Sequence, residues 1–373
     1  MLLEYNTLIM EKSIMRCCFA LFLILVVSCK NNKDPVQMEV FETDFIGKSE
    51  LTLEGTDTGL EIMGVKDICV CDSLLIAFTK NPESQIQVYR MSDMHLVAKL
   101  CPRGRAGNEM TDPNGLSGQF YYRKGNLILP VIDNYQLLKE INITKSISNM
   151  NTVVETKTDC MPLIQGNFVL IDDDIDNRFE FHSDQIDEIY ADQISYPMFI
   201  IRKKNKEQKI NLYNKLMDSP SLHYSAGFYY GTVYKSPVRN MIIQPLQNMD
   251  YIMFFDLDND KRFAIHQKGT MCIGDKAPDE ARIHLLNYLA ISNKYFIVNH
   301  KFHDAESMPK DKSPYELLIF DWDGNFINSA RLDHKVSRIA FDEKSNILYG
   351  IGLSEEKMYK YDMSKLLPAT SVK

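Results

Sequence analysis

Beyond about residue 40 the chain is a succession of short apolar or alternating runs of about four to eight residues, broken by Asn, Asp, Gly, Ser and Lys. Leu74-Leu75-Ile76-Ala77-Phe78, Leu127-Ile128-Leu129-Pro130-Val131-Ile132, Tyr251-Ile252-Met253-Phe254-Phe255 and Leu317-Leu318-Ile319-Phe320 are clear examples. Their lengths are those of strands, and helical periodicity is almost absent. Only a short piece such as Asp279 to Leu289 reads as helix. The body of the chain is therefore expected to be all-β.

A weak internal repeat organises these strands. Each unit has an apolar strand, a polar turn, and a second strand ending in a Tyr/Phe-Asp or similar corner. The second strands are Gln85 to Tyr89, Leu137 to Ile141, Ile210 to Tyr213, Met253 to Asp258, Leu317 to Asp321 and Met358 to Asp362. Six units spaced by roughly 55 residues match the span of a four-stranded propeller blade with long loops. Asp321-Trp322-Asp323-Gly324-Asn325 is a hairpin turn, since Asp-Gly tolerates the positive φ such turns need. A pair of stacked β-sandwiches is the competing architecture, but no linker rich in Pro, Gly or Ser divides the chain. One closed toroid also exposes fewer strand edges. The expectation is a six-bladed β-propeller of four-stranded antiparallel blades over residues 43–368.

The N-terminus has a different character. Lys12 and Arg16 precede an unbroken apolar run from Cys17 to Val27, and the small residue Ser28 follows. This is the layout of a secretory signal. The run is too short for a bilayer span, which takes roughly 20 apolar residues. Val26-Val27-Ser28-Cys29 resembles the lipobox of bacterial lipoproteins, and that resemblance implies cleavage before Cys29 and a diacylglyceryl thioether on its sulfur. Two or more acyl chains anchor stably where one would not. Residues 1–28 are thus read as a lipoprotein signal peptide and residues 29–42 as a polar tether. The expected location is the cell envelope, lipid-anchored to the outer membrane.

The lipobox, the six units and the segment Arg103-Gly104-Arg105-Ala106-Gly107-Asn108-Glu109-Met110 together resemble the six-bladed, TolB-like propeller lipoproteins of Bacteroides and relatives. Those proteins carry a Gly-Arg-Gly-Pro-x-Glu-Phe element between the first two blades. Here Ala106-Gly107 replaces the Gly-Pro pair and Met110 replaces Phe. The resemblance implies fold and envelope location, and no reaction.

Within that segment Arg103, Arg105, Asn108 and Glu109 form the candidate ligand-facing set, placed by the resemblance on a loop from an outer strand into the next blade near the channel mouth. Two guanidiniums can hold a carboxylate or sulfate by bidentate hydrogen bonds. The plainer alternative is that Gly104 and Gly107 shape the loop while Arg and Glu tie neighbouring blades together. Other motifs are weaker. Asp256-Leu257-Asp258-Asn259-Asp260 begins like a calcium loop, but Lys261 and Gln267 stand where Gly and Glu are needed. Asp172-Asp173-Asp174 with Asp176 is a denser acidic cluster. Either could take Ca²⁺ loosely, but a solvated turn is the expected role. No other cofactor or metal site is expected. His300-Lys301-Phe302-His303 reads as a loop without a companion carboxylate of metal-site spacing.

The formal net charge is −8, which makes nucleic acid an unsuitable partner. Cys69, Cys71, Cys101, Cys160 and Cys272 remain after the signal and anchor are set aside; scattered and odd in number, they are expected to be buried thiols. Cys69 and Cys71 alternate in a strand-like run and should share one face. No Gly-x-Ser-x-Gly, His-Glu-x-x-His or phosphate loop is present. The expected function is a binding module for a protein partner or a small anionic or glycan ligand. The alternative is a propeller hydrolase or lyase acting on glycans or lactones.

Overall fold

Three short strands precede the first blade: β1 (Glu39–Thr43), β2 (Thr52–Leu53) and β3 (Thr56–Glu61). In the computed structural model the residues described are 38–116, 118–134, 137–159, 167–174, 176–182, 198–204, 206–210, 212, 231–246, 249–270, 283–303, 315–353 and 355–367. Residues 1–28, read from sequence as a signal peptide, and Cys29 lie outside them.

From Val65 onward the strands form sheets in sequence order. Blade 1 contains β4 (Val65–Cys71), β5 (Leu74–Thr79), β6 (Ile86–Arg90) and β7 (His95–Leu100). Blade 2 contains β8 (Pro113–Gly115), β10 (Asn126–Asp133), β11 (Leu137–Asn142) and β12 (Val154–Asp159), with the short β9 (Tyr121–Arg123) also paired to β10. Blade 3 contains β13 (Asn167–Leu170), β14 (Asn177–His182), β15 (Met198–Lys203) and β16 (Lys206–Ile210). Blade 4 follows with β17 (Tyr234–Lys235), β18 (Met241–Pro245), β19 (Tyr251–Asp256) and β20 (Lys261–Gln267). Blade 5 has β21 (Ile283–Ile291), β22 (Tyr295–His303), β23 (Glu316–Asp321) and β24 (Phe326–Leu332). Blade 6 receives only β25 (Val336–Asp342), β26 (Ile347–Gly352) and β27 (Lys357–Asp362) from the C-terminal end.

The three N-terminal strands supply what is missing. β3 pairs antiparallel with β27 and becomes the outer strand of blade 6, so both ends of the chain close the ring. Before that, β1 adds in parallel to the outside of β20, and β2 adds in parallel to the outside of β24. The segment is therefore a strap across the rims of blades 4, 5 and 6. Side chains of the rim hold its backbone. The Glu316 carboxylate accepts from Gly47 N at 3.0 Å and Ser49 N at 3.2 Å, and both Asp333 oxygens accept from Gly55 N at 3.0 Å. The protein is an all-β, six-bladed propeller. The residues read from sequence as the end of the tether, 39–42, belong to this strap.

The core sits between blades. One buried cluster joins blades 1 and 2 through Cys69, Cys71, Phe78, Leu129 and Ile141; another joins blades 4 and 5 through Phe254, Phe263, Phe296, Phe320 and Trp322. Corresponding clusters occupy the remaining four seams. A blade interior is covered on both faces, which is why a strand such as β19 reads as Tyr-Ile-Met-Phe-Phe, buried throughout, and not as alternation. Cys69 and Cys71 share a face as expected, and with Cys101 they are buried free thiols.

The repeated aromatic-Asp corner also has a cause. Asp256, Asp321 and Asp362 each end the third strand of a blade and fold their carboxylates back onto the following turn. Asp256 accepts from the N–H groups of Asp258 and Asn259, Asp321 from those of Asp323 and Asn325, and Asp362 from Ser364. These are Asx turns, in which a side chain replaces a backbone acceptor. Gly324 takes φ 84 in the hairpin read from sequence.

Two elements differ from expectation. Residues 283–291, placed partly within a helix, form the strand β21; its Leu286, Leu289 and Ala290 suit either period, and pairing with β22 decides. In blade 3 the strand Lys206–Ile210 is the fourth one, not the third as the Ile210–Tyr213 unit implied; the third is β15. A helix unforeseen in the sequence, α1 (Ile143–Asn149), links β11 to β12. Asn142 caps it by accepting from Lys145 N, and Met150 ends it with φ 52.

Candidate site on the loop between blades 1 and 2

The outer strand of blade 1 must cross to the inner strand of blade 2, and Cys101 to Asp112 makes that crossing. It does so as a tightly bonded loop. Gly104 N donates to Met110 O and Met110 N to Pro102 O, both at 3.0 Å. Arg103 N reaches Pro82 O in the turn between β5 and β6 at 2.8 Å. From below, the Gln85 amide donates to Met110 O at 2.6 Å, and the Met110 side chain is fully buried in the seam between the two blades. Met110, where the resembling family has Phe, is thus the hydrophobic anchor of the loop.

Blade 2 grips the other side. Asp133 Oδ1 accepts from Thr111 N at 2.8 Å and Asp112 N at 2.9 Å, while its Oδ2 pairs with Lys139 Nζ at 2.8 Å. Lys139 also donates to Glu109 O at 2.9 Å. Both side chains of this ion pair are almost wholly buried, with 6% and 4% of their surface exposed. Each charge has a partner, which offsets the desolvation of the pair.

Two of the four sequence-derived site residues are spent on holding the loop in place. Glu109 Oε2 accepts from Ala106 N at 2.8 Å, closing the loop on itself. Asn108 Nδ2 donates to Asn151 Oδ1 at 3.1 Å, just past α1. A Cβ at Gly104 would stand 1.9 Å from Glu109 Oε2, so the glycine leaves room for that carboxylate; Gly107 has open space around it. Arg103 and Arg105 are different. Both are exposed, and among the described residues neither guanidinium has a hydrogen-bond or ionic partner. The structure thus separates the set into two scaffold residues and two free cations on a fixed backbone.

Next to this loop lie inner-strand charges that sequence reasoning missed. Lys66 on β4 pairs with Asp112 Oδ1 at 2.6 Å and donates to Pro113 O at 2.5 Å, joining the inner strands of blades 1 and 2. Arg338 on β25 donates from Nε to Lys66 O and from a terminal nitrogen to Ser337 O, joining blades 6 and 1. Both cations act on the carboxylate of Asp67. Burial pushes its carboxyl up to about 6, against the opposing pull of Arg338, the Ile68 N–H and Lys66. No local signal marks these residues, because they come from positions 66, 112 and 338 and meet only when the ring closes.

The remaining motifs resolve into turns and seams. Asp256 and Asp172 bond their own turns, and Asp258 accepts from the Asn240 amide at 2.8 Å. Among the described residues no group of three or more His, Cys, Asp or Glu side chains is placed to hold a metal ion. His300 is on strand β22, not in a loop, and its Nε2 lies 3.5 Å from Asp250 Oδ1, both buried. Trp322 packs in the seam of blades 4 and 5 and donates from Nε1 to Ser292 O at 3.0 Å.

No known family model matches the chain, and no curated protein does. The likeness to known proteins is one of fold. A crystal structure of a Bacteroides fragilis protein, named as a candidate exported protein, is similar with TM-score 0.49 and 9% identity, covering 87% of this chain and 98% of that one. A member of the DUF4221 family from Bacteroides vulgatus is similar with TM-score 0.49 and 9% identity, covering 84% and 96%. The propeller domain of Cps50 (Swd1) from Myceliophthora thermophila gives TM-score 0.43 at 9% identity, covering 83% and 99%.

Proposed function

We propose that the protein is an envelope lipoprotein whose propeller is a binding module, presenting Arg103 and Arg105 to an anionic ligand or an acidic patch on a protein partner. The observation that carries this reading is the contrast within one loop: its backbone is fixed by blades 1 and 2, while its two guanidiniums are exposed and unengaged by any described residue. Pre-ordered donors bind oxyanions without the cost of ordering the loop.

The strap supports the same reading. β1 runs parallel to β20, so Glu39 lies opposite Phe263, near the β19–β20 turn. The described residues therefore begin at the strand ends opposite those that carry the Arg103–Glu109 loop. Lipidated at Cys29, the protein would hold that loop away from the membrane.

Two measurements test the two halves. Cys29→Ala should move the protein from the membrane to the soluble fraction; unchanged fractionation defeats anchoring. Thermal unfolding against sulfate, citrate and uronic acids should show stabilisation, about 2.7 kcal/mol at a hundred times the dissociation constant. Arg105→Ala should abolish that gain without lowering the melting temperature of the free protein. Ligand stabilisation that survives in Arg105→Ala and Arg103→Ala alike would remove the loop from the site.

A further inference from the structure

At the opposite end of the strands, blade 4 holds a cavity of 380 Å³ between the β17–β18 turn and the β19–β20 turn, lined by Lys235, Arg239, Asn240, Asp258, Asn259 and the apolar Val238 among others. Its volume falls within the range of about 300–1,000 Å³ usual for small-molecule sites.

Most of the polar groups in its walls are already committed. Asp256 bonds its own turn, Asn259 Nδ2 donates to Asp256 at 2.7 Å, Asn240 Nδ2 donates to Asp258 Oδ1 at 2.8 Å, and Arg239 reaches across to Asp323 of blade 5 at 2.8 Å. Lys235 is the exception. Its Nζ donates only to Ser236 O, at 3.2 Å, and among the described residues no carboxylate lies within ion-pair distance of it. The side chain is partly buried, and that desolvation lowers the ammonium's pKa although Asp172 and Asp258 act to raise it. An ammonium has three donors. Two of them have no acceptor among the described residues, in a place where water is only partly available. Leaving such donors unmatched is costly.

The chemistry of the missing acceptor is constrained by its surroundings. A carboxylate or phosphate would suit Lys235 but would face Asp256, Asp258 and Asp172. An amine would suit those carboxylates but repel Lys235 and Arg239. A hydroxyl meets both demands, because it accepts from an ammonium and donates to a carboxylate at once. Several hydroxyls on one rigid ring would engage Lys235 and Asp258 together, with Val238 and Pro237 against the ring's carbon face.

We propose that this cavity is a binding site for a neutral saccharide, with the partly buried Lys235 as the donor and Asp258 as the acceptor. It is separate from the Arg103–Arg105 loop and does not depend on it.

The test is saturation-transfer NMR on the full-length protein in detergent, with maltose, cellobiose and chitobiose as probes and glucuronic acid as the charged comparator. At least one neutral disaccharide should show saturation of its ring protons. Lys235→Met should abolish the signal, Asp258→Asn should weaken binding by about tenfold or more, and Arg105→Ala should leave it unchanged. Circular dichroism and the melting temperature establish that each variant is folded. Silence of all three neutral sugars, retention of the signal in folded Lys235→Met, or binding of glucuronic acid alone would overturn the assignment.

Discussion

Gln267 Oε1 accepts the N–H groups of both Phe45 and Ile46, at 2.8 and 2.9 Å, across more than half the chain. Its Nε2 donates to Asp44 Oδ1 at 3.0 Å. One side chain at the end of β20 thus fixes the strap where it leaves blade 4 for blade 5, and sets Phe45 into the seam, edge-on to Phe320 at 5.3 Å between ring centres.

Gln267→Ala should therefore lower stability by about 2 kcal/mol, the cost of two backbone donors left without their acceptor at a buried site. The check is the urea midpoint at constant m. A midpoint within error of the wild type would mean that water replaces the amide and that strand pairing, Glu316 and Asp333 hold the strap without it.

Trp322 is the chain's single tryptophan and is buried between blades 4 and 5, so its fluorescence reports one seam. Trp322→Phe keeps most of the packing but leaves Ser292 O without its donor, and should cost about 1–2 kcal/mol. Trp322→Ala should cost about 3–5 kcal/mol through the cavity it leaves. Denaturant titrations followed by far-UV circular dichroism distinguish the two.

Much of the architecture is legible in the sequence because propeller blades repeat a local pattern. The third strands of blades 1, 2, 4, 5 and 6 are marked by apolar runs, and in the last three the closing Asp makes an Asx turn that depends only on its neighbours. Blade 3 is misread because Lys206-Glu207-Gln208-Lys209-Ile210 and Met198-Phe199-Ile200-Ile201 carry the strand signal in the opposite order to their place in the sheet. The strap is not legible, since Thr52-Leu53 and Glu39 to Thr43 are strands only by pairing with residues about 200 or more positions away. The candidate loop is half legible: Gly104 and Glu109 have a local partner in each other, but the exposure of Arg103 and Arg105 follows from Asp133, Lys139 and Gln85, which sequence alone does not connect to them.

Asp67 gives the fold a pH dependence of unusual sign for a carboxylate. Its folded pKa of about 6 lies above the ordinary 3.8, because burial disfavours the charged form. The folded state then binds this proton more tightly than the unfolded state, so its contribution to stability falls as pH rises from about 4 to about 6 and is constant beyond. Asp67→Asn should flatten that segment of the profile and raise stability at pH 7 by on the order of 1 kcal/mol. Melting temperatures of both proteins from pH 4 to 8 provide the comparison; parallel profiles would mean that Arg338 and Lys66 compensate the buried charge fully.

Gly104→Ala probes the loop directly. The new Cβ would stand 1.9 Å from Glu109 Oε2 and 2.4 Å from its Cδ, so the carboxylate must leave Ala106 N. The residues involved are at the surface, so the expected loss of stability is small, about 1 kcal/mol. Anion binding through Arg103 and Arg105 should fall further than that, because the loop that orders them is no longer closed. Equal anion affinity in the folded variant would show that closure by Glu109 does not order the arginines.

Lys139 carries an expected effect as large as that of Trp322→Ala. It compensates Asp133, whose other oxygen holds two backbone N–H groups at the base of the loop, and it also donates to Glu109 O. Lys139→Met fills the same space but leaves a carboxylate only 4% exposed without its counter-charge. Breaking a buried pair from one side costs about 3–5 kcal/mol, whereas the intact pair adds little over an apolar replacement. Lys139→Met with Asp133→Asn should therefore recover part of the loss, since a neutral amide oxygen still accepts from Thr111 and Asp112 without needing a cation. The double variant's urea midpoint lying above that of Lys139→Met is the expected result. A double variant no more stable than the single one would mean that the lost Glu109 contact, rather than the uncompensated charge, dominates, and would make Lys139 a fastener of the loop first and a counter-ion second.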